Sequence, residues 1–211
     1  RLAGPYIARA AARPGGAVLA ALPALAGIMM ALSAVTSLVT IISIYREGGI
    51  LKRLRATPLS PVVILSAHVI VKLVFTAITL AVLMLAGRRY FPPGIDVPVL
   101  QFGAALLFTT WAILSIGFLV ASIVPTARFA QPLAALVFYP MLVFSGLFFP
   151  IAVLPPWLEA IARIQPLTHA VSLLDGIWRG QGWTAHLGDI AGLALTFVVF
   201  TAISSRVFRW E

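Results

Sequence analysis

The sequence contains no cysteine among its 211 residues, and only 10% of its residues are charged. The absence of cysteine excludes disulfides, thiolate metal sites and thiol nucleophiles. The low charge, beside 61% hydrophobic residues, excludes an ordinary water-soluble domain, in which about a quarter of the residues are charged. The chain is therefore predicted to be a membrane protein. Its length allows a handful of helices of the roughly 20 residues that a bilayer requires.

Acidic residues are scarce, and the motifs of several catalytic chemistries are missing. Six Asp and Glu stand against 15 Lys and Arg. The basic residues lie between apolar runs, which favours juxtamembrane loops over a nucleic-acid partner. No glycine-rich loop ends in Gly-Lys-Ser/Thr, so no nucleotide cradle is predicted in this chain. The histidines, His68, His169 and His186, lie far apart in sequence and are predicted to be packed or interfacial rather than metal ligands.

Long uncharged stretches predict an all-α, polytopic membrane helix bundle that forms a single transmembrane domain over residues 1–211. Lys72 falls inside the second stretch, where its ammonium is expected to reach a headgroup region or to face the bundle interior. The more polar region 154–185 predicts two short, half-buried helices at the membrane interface, with an amphipathic surface loop as the alternative. About five spans are expected, at 18–45, 62–86, 100–124, 130–150 and 187–207.

The loop between the first two predicted spans concentrates positive charge. Leu51 and its apolar neighbours could pack on one side of a short amphipathic helix, while Arg53 and Arg55 reach solvent, lipid phosphate or an acidic partner. Pro58 breaks that helix, and Ser60 with Pro61 is expected to start the next one. These residues by themselves fit either a docking surface or a basic membrane anchor without a partner.

Two segments of the chain resemble the type-2 ABC transporter permease family, the membrane subunits of ABC exporters. The first is REGGILKRLRATPLSP at 46–61, which is similar to the family's cytoplasmic loop with its acidic residue, basic cluster and Thr-Pro-Leu-Ser turn. The second is FSGLFFPIAVLPPWLEAIARIQPLTHAVSLLDGIWRG at 144–180, which resembles the segment before the family's last span. Both occur in the family's order, and the resemblance covers roughly residues 20–208.

The resemblance implies a permease that moves a hydrophobic or amphipathic substrate outward, using ATP hydrolysed by a separate ATPase subunit. The permease itself would be no enzyme and would hold no cofactor, because the partner ATPase binds ATP and Mg²⁺. A second permease chain, as a homodimer, and membrane lipids are the other implied partners, and nucleic acid is not among them. The residues implied to couple to the ATPase are Glu47, Gly48, Leu51, Arg53, Arg55 and Pro58.

The resemblance also implies a topology that charge alone leaves open, because basic residues are equally frequent in the loops of the two sides. Loop 46–60 and the C-terminus would be cytoplasmic, in a multi-pass protein of the cell membrane. Short re-entrant helices would lie on the external side. The family has six spans after an N-terminal helix, so that helix and the first span are expected to be missing here. The alternatives are a membrane scaffold or anchor subunit and an intramembrane lipid-modifying enzyme.

Overall fold

A computed structural model describes residues 16–50, 61–90, 98–124, 126–146 and 151–207. Every regular element in these ranges is helical, as predicted for an all-α bundle. The long helices before residue 150 are α1 (Gly16–Glu47), α2 (Pro61–Tyr90), α3 (Val99–Ile123) and α4 (Ala127–Val143). After a 3-10 turn at Ile151–Val153 come α5 (Pro156–Ile164) and α6 (Pro166–Trp178), and a second 3-10 turn at Trp183–His186 leads into α7 (Leu187–Val207).

The five long helices α1, α2, α3, α4 and α7 overlap the five predicted spans. Among the described residues, three stretches of 25 residues are long and apolar enough to cross a bilayer: Pro23–Glu47, Val99–Ile123 and Trp183–Val207. The shorter apolar stretches Ser66–Val82 and Ala127–Val143 belong to α2 and α4. The chain is thus a membrane helix bundle, and the count of five crossings stays a prediction.

Helix α3 lies at the centre of the bundle, packed mainly against α1 on one side and α7 on the other. Small residues bring the α1 and α3 backbones together, and a Cβ on Gly117 would lie 3.1 Å from the Cα of Val35. Such close approach is typical of helix pairs in membranes, where van der Waals packing replaces the hydrophobic effect between helices. On the other side of α3, the Trp111 and Phe197 rings stack with centroids 3.8 Å apart.

Helix α4 differs in extent from the predicted span at 130–150, since it begins at Ala127 and ends at Val143. Two backbone hydrogen bonds complete its last turn, from Phe144 N to Pro140 O and from Ser145 N to Leu142 O, and both are 3.2 Å long. Gly146 then adopts a positive φ of 85°, a conformation that ends helices readily because glycine has no Cβ.

The two short helices predicted before the last span are present as α5 and α6, and they are buried to different degrees. Helix α5 is largely exposed, with Ile164 78% accessible. Helix α6 instead fills the space between α1, α3 and α7, and its apolar face is buried throughout. The Thr168 hydroxyl donates to the Phe144 carbonyl at 3.1 Å, which ties α6 to the end of α4.

Candidate functional site

The first two predicted coupling residues lie where α1 ends. Gly48 N donates to Ile44 O at 2.9 Å, and Gly49 N donates to Arg46 O at 3.1 Å. Gly49 has a φ of 65°, so the two glycines end the helix and turn the chain away from its axis. The other predicted coupling residues, Leu51, Arg53, Arg55 and Pro58, lie outside the described residues, as does most of the predicted amphipathic helix.

Arg46 bonds the end of α1 to the end of α3. Its guanidinium donates to the carbonyl oxygen of Val124 and lies 3.3 Å from that of Ala121 and 3.5 Å from that of Ser122. The last carbonyls of a helix have no partner within the helix and carry the negative end of its dipole. A half-buried cation at this position therefore satisfies and neutralises the C-terminus of α3.

Glu47, the next residue, places a negative charge at the N-terminus of α4. Its Oε1 accepts a hydrogen bond of 2.8 Å from the backbone N–H of Ala127, the first residue of α4. A carboxylate is favoured there because a helix N-terminus presents unpaired N–H groups and a positive dipole end. Arg46 and Glu47 together join three helix ends into one unit, here called the corner.

The end of α7 lies beside the corner. The buried hydroxyls of Ser122 in α3 and Ser204 in α7 are 2.8 Å apart. Residue 204 is close to the end of α7, so the chain leaves the last helix at the same end of the bundle as the loop that follows α1.

A second polar group joins α6 to α7, and it is here called the histidine cluster. Asp189 Oδ1 lies 2.8 Å from His169 Nδ1, while its Oδ2 lies 2.8 Å from Ser172 Oγ and 2.9 Å from His186 Nδ1. Because an ionised carboxylate only accepts hydrogen bonds, both imidazoles donate from Nδ1. The cluster lies about 22 Å from Ser204 along α7, at the opposite end of the bundle from the corner.

Two glycines make room for these imidazole rings. A Cβ on Gly192 would lie 2.8 Å from the Cδ2 and Nε2 atoms of His169, and a Cβ on Gly176 would overlap the His186 ring. Among the described residues, no group of three or more His, Cys, Asp and Glu is arranged to hold a metal ion. The two rings point their Nδ1 atoms at one shared carboxylate, and the Nε2 atom of His186 lies 3.0 Å from Gln181 Oε1, so the network extends from Asp189 to the connection between α6 and α7.

The sequence predicted neither arrangement. The sequence predicts that His169 and His186 are packed or interfacial, but it does not predict that they meet on Asp189. The available signal is the His186-Leu-Gly-Asp189 spacing at the start of the last apolar run. Arg46 was expected only as part of a basic loop. Arg46 stands next to the acidic Glu47 at a helix end, and a short connection joins two later spans. These two features together could have suggested the corner.

The long apolar helices and the small residues between them define a polytopic membrane protein. The sequence profile of the family described as ABC-2 type transporter matches residues 7–177. The chain belongs to this family, as its motifs predicted.

Individual relatives agree with this family. The chain is 32% identical to Nodulation protein J of Neorhizobium galegae over 105 residues, 48% of this chain and 40% of that protein. It is also 32% identical to the inner membrane transport permease YhhJ of Escherichia coli K12 over 143 residues, 65% of this chain and 37% of that protein. The chain thus spans about two fifths of the length of these relatives. No solved structure matches the chain.

Proposed function

We propose that this chain is the permease subunit of an ATP-driven exporter, which moves a hydrophobic or amphipathic substrate out across the cell membrane. ATP would be hydrolysed by a separate ATPase subunit that docks on residues 47–58, and two permease chains would form the working unit. The observation that carries the proposal is the corner. The segment similar to the family's coupling loop follows directly from two side chains that bond the ends of α3 and α4.

The corner supports a mechanical role for the docking segment. Movement of a partner against residues 48–60 would act on Arg46 and Glu47 at one end of this segment, and through them on the backbone at the ends of α3 and α4. Packed helices respond to such a displacement by moving as rigid bodies, because interiors are too dense to absorb it. A push on one loop would therefore move α1, α3 and α4 together.

The common end shared by the corner and the end of α7 supports the proposed orientation. Loop 46–60 and the C-terminus would both face the cytoplasm, where ATP is available, and the histidine cluster would face outward. Five crossings give this arrangement, since an odd number of spans carries the chain from the external start of α1 to a cytoplasmic C-terminus.

The proposal is tested by co-purifying the chain with a candidate ATPase in detergent. The test variant replaces Lys52, Arg53 and Arg55 with alanine, which removes the basic cluster and leaves Arg46 and Glu47 in place. We expect at least a tenfold loss of bound ATPase, since several charge-assisted contacts are removed together. Membrane insertion and the melting temperature should stay unchanged.

The matched control removes two basic side chains at the opposite end of the bundle. Arg163 and Arg179 are exposed, and within the described ranges their salt bridges are to Glu159 and Asp175, four residues earlier in the chain. The double variant Arg163→Ala with Arg179→Ala should keep the ATPase bound. Equal binding by both variants, or no ATPase bound to the parent chain, would leave a membrane scaffold or anchor as the better description.

A further inference from the structure

A cleft separates α1 from α2, because α2 makes few contacts with α1 and packs mainly on α3. It encloses about 360 Å³. Its base is apolar and comes from Leu38, Ile41 and Leu114, while α2 forms one wall with side chains at helical spacing. The polar side chains that line or border this space are Ser33, Ser37, His68 and Lys72.

Lys72 brings the only full charge into the described part of this cleft. Its Nζ donates to the Ser33 hydroxyl at 2.7 Å. An ammonium has three N–H groups to donate, and in the described ranges no carboxylate pairs with it. Two N–H groups on a half-buried cation therefore remain for an acceptor that comes from outside these residues.

The depth of Lys72 makes this charge costly to retain. It lies about 16 Å along α2 from Pro61, about half of the 30 Å hydrocarbon core. A charge near the bilayer centre is unfavourable, and such residues in membrane helices usually mark ligand or ion pathways. A basic anchor for the membrane surface would lie at a helix end instead.

The surface around Lys72 fits the rest of an amphiphile. Val71, Val74, Phe75 and Ile78 lie on α2 within two turns of the lysine, and each is more than half exposed. His68, one turn before Lys72, is a further polar group beside the ammonium, and its ring packs on Tyr45 with centroids 5.5 Å apart. An anionic head would meet donors in the cleft while a hydrocarbon chain covers the apolar side of α2.

We propose that this cleft binds the anionic head group of an amphiphile below the membrane surface, with Lys72 as its charge partner. The head group would exchange its water for the Lys72 ammonium and the hydroxyl of Ser37. The bound amphiphile is cargo only if the chain is an exporter, so that part of the inference rests on the proposed function. Binding itself needs no ATPase. A lipid of the surrounding bilayer keeps its head at the interface, so a head drawn to the depth of Lys72 marks a bound ligand.

The absence of cysteine allows a unique fluorescent reporter in the cleft. The full chain carrying Phe75→Cys, labelled with bimane, is reconstituted in phosphatidylcholine vesicles that contain a minor fraction of brominated phosphatidylglycerol. The bromines are placed near the start of the acyl chain, so they reach the label only if the head group is drawn inward. Brominated phosphatidylcholine serves as the neutral-lipid arm. Leu195→Cys, exposed on α7, is the matched control position.

We expect phosphatidylglycerol to quench the cleft label at about tenfold lower concentration than phosphatidylcholine, as one charge-assisted contact gives. Lys72→Met should abolish this preference and Lys72→Arg should keep it, while the label on Leu195→Cys should show none. The proposal is overturned if Lys72→Met keeps the preference, or if only bromines at the chain end quench, since an interfacial lipid then occupies the groove. A label that no lipid reaches also overturns it, because protein would then fill the cleft.

The two proposals fail separately. An ATPase that binds the chain while the cleft shows no anion preference leaves the exporter standing and removes the binding site. A clear anion preference in a chain that binds no ATPase keeps the site and removes the exporter, and the amphiphile is then a structural ligand.

Discussion

The two ends of the bundle hold their helices together with different chemistry. At the corner, charged side chains bond to the backbone at helix ends, so each bond uses a donor or acceptor that the helix cannot satisfy itself. In the histidine cluster, side chains bond to one another around the single carboxylate of Asp189. The first arrangement connects the ends of α1, α3 and α4, whereas the second fixes α6 against α7.

The difference predicts unequal sensitivity to substitution. The cluster depends on one acceptor whose side chain is only 18% accessible, so its loss leaves three donors unpaired. The corner has several acceptors for Arg46, and Glu47 is exposed to water, which can replace a lost bond. We therefore expect the cluster to dominate stability and the corner to dominate coupling to a partner.

The largest effect is expected for Asp189→Ala. Three donors lose their acceptor in a half-buried site, and the free energy of unfolding should fall by about 3 kcal/mol. The measurement is reversible unfolding in mixed micelles. Asp189→Asn keeps one acceptor oxygen and should lose less than half as much. An Asp189→Ala chain as stable as the parent would show that the imidazoles find other acceptors.

The next prediction tests whether Gly192 is needed to leave space for the His169 ring. Gly192→Ala places a methyl group against His169, and the overlap should lower the free energy of unfolding by about 2 kcal/mol. Gly188→Ala, on the same helix, meets nothing within 4 Å and should be neutral or slightly stabilising through better helix propensity. Equal effects at the two positions would mean that helix propensity, not ring packing, decides the outcome.

At the corner, Arg46→Met should cost about 1 to 2 kcal/mol, because the carbonyls at the end of α3 lose a charged donor but can partly rehydrate. Arg206→Met is the matched control, since Arg206 is exposed near the end of α7 at the same end of the bundle. Its effect should stay within about 0.5 kcal/mol. A loss at Arg46 as large as that at Asp189 would erase the distinction between the two ends.

Local features account for the parts of the fold that the sequence predicts well. Pro61, Pro156 and Pro166 each occupy the first position of a helix, where the missing N–H costs nothing and φ is already helical. Uncharged runs of bilayer length predict the long helices. Pro132 and Pro140 lie inside α4 without ending it, so proline alone is a poor guide to a helix end in this chain.

Long-range contacts account for what the sequence does not predict. His169 and Asp189 share a hydrogen bond only because α6 packs against α7, and no periodicity within either segment encodes that pairing. Likewise, the Glu47 bond to Ala127 joins residues far apart in sequence. The family resemblance selected Glu47 and Gly48 as functional residues but did not indicate that Glu47 caps a neighbouring helix.

The smallest expected effect separates the two roles that Glu47 could have. Glu47→Gln keeps an oxygen that can accept from Ala127 N–H and removes the charge, so the free energy of unfolding should fall by only about 0.5 kcal/mol. If Glu47 acts by holding the corner, Glu47→Gln should also keep nearly all of the bound ATPase in the co-purification assay, whereas Glu47→Lys should lose it, because a cation repels the N-terminus of α4. If instead the carboxylate contacts the ATPase directly, Glu47→Gln should release the partner without a change in stability, and the corner would then be a support for the docking segment rather than the connection that transmits its motion.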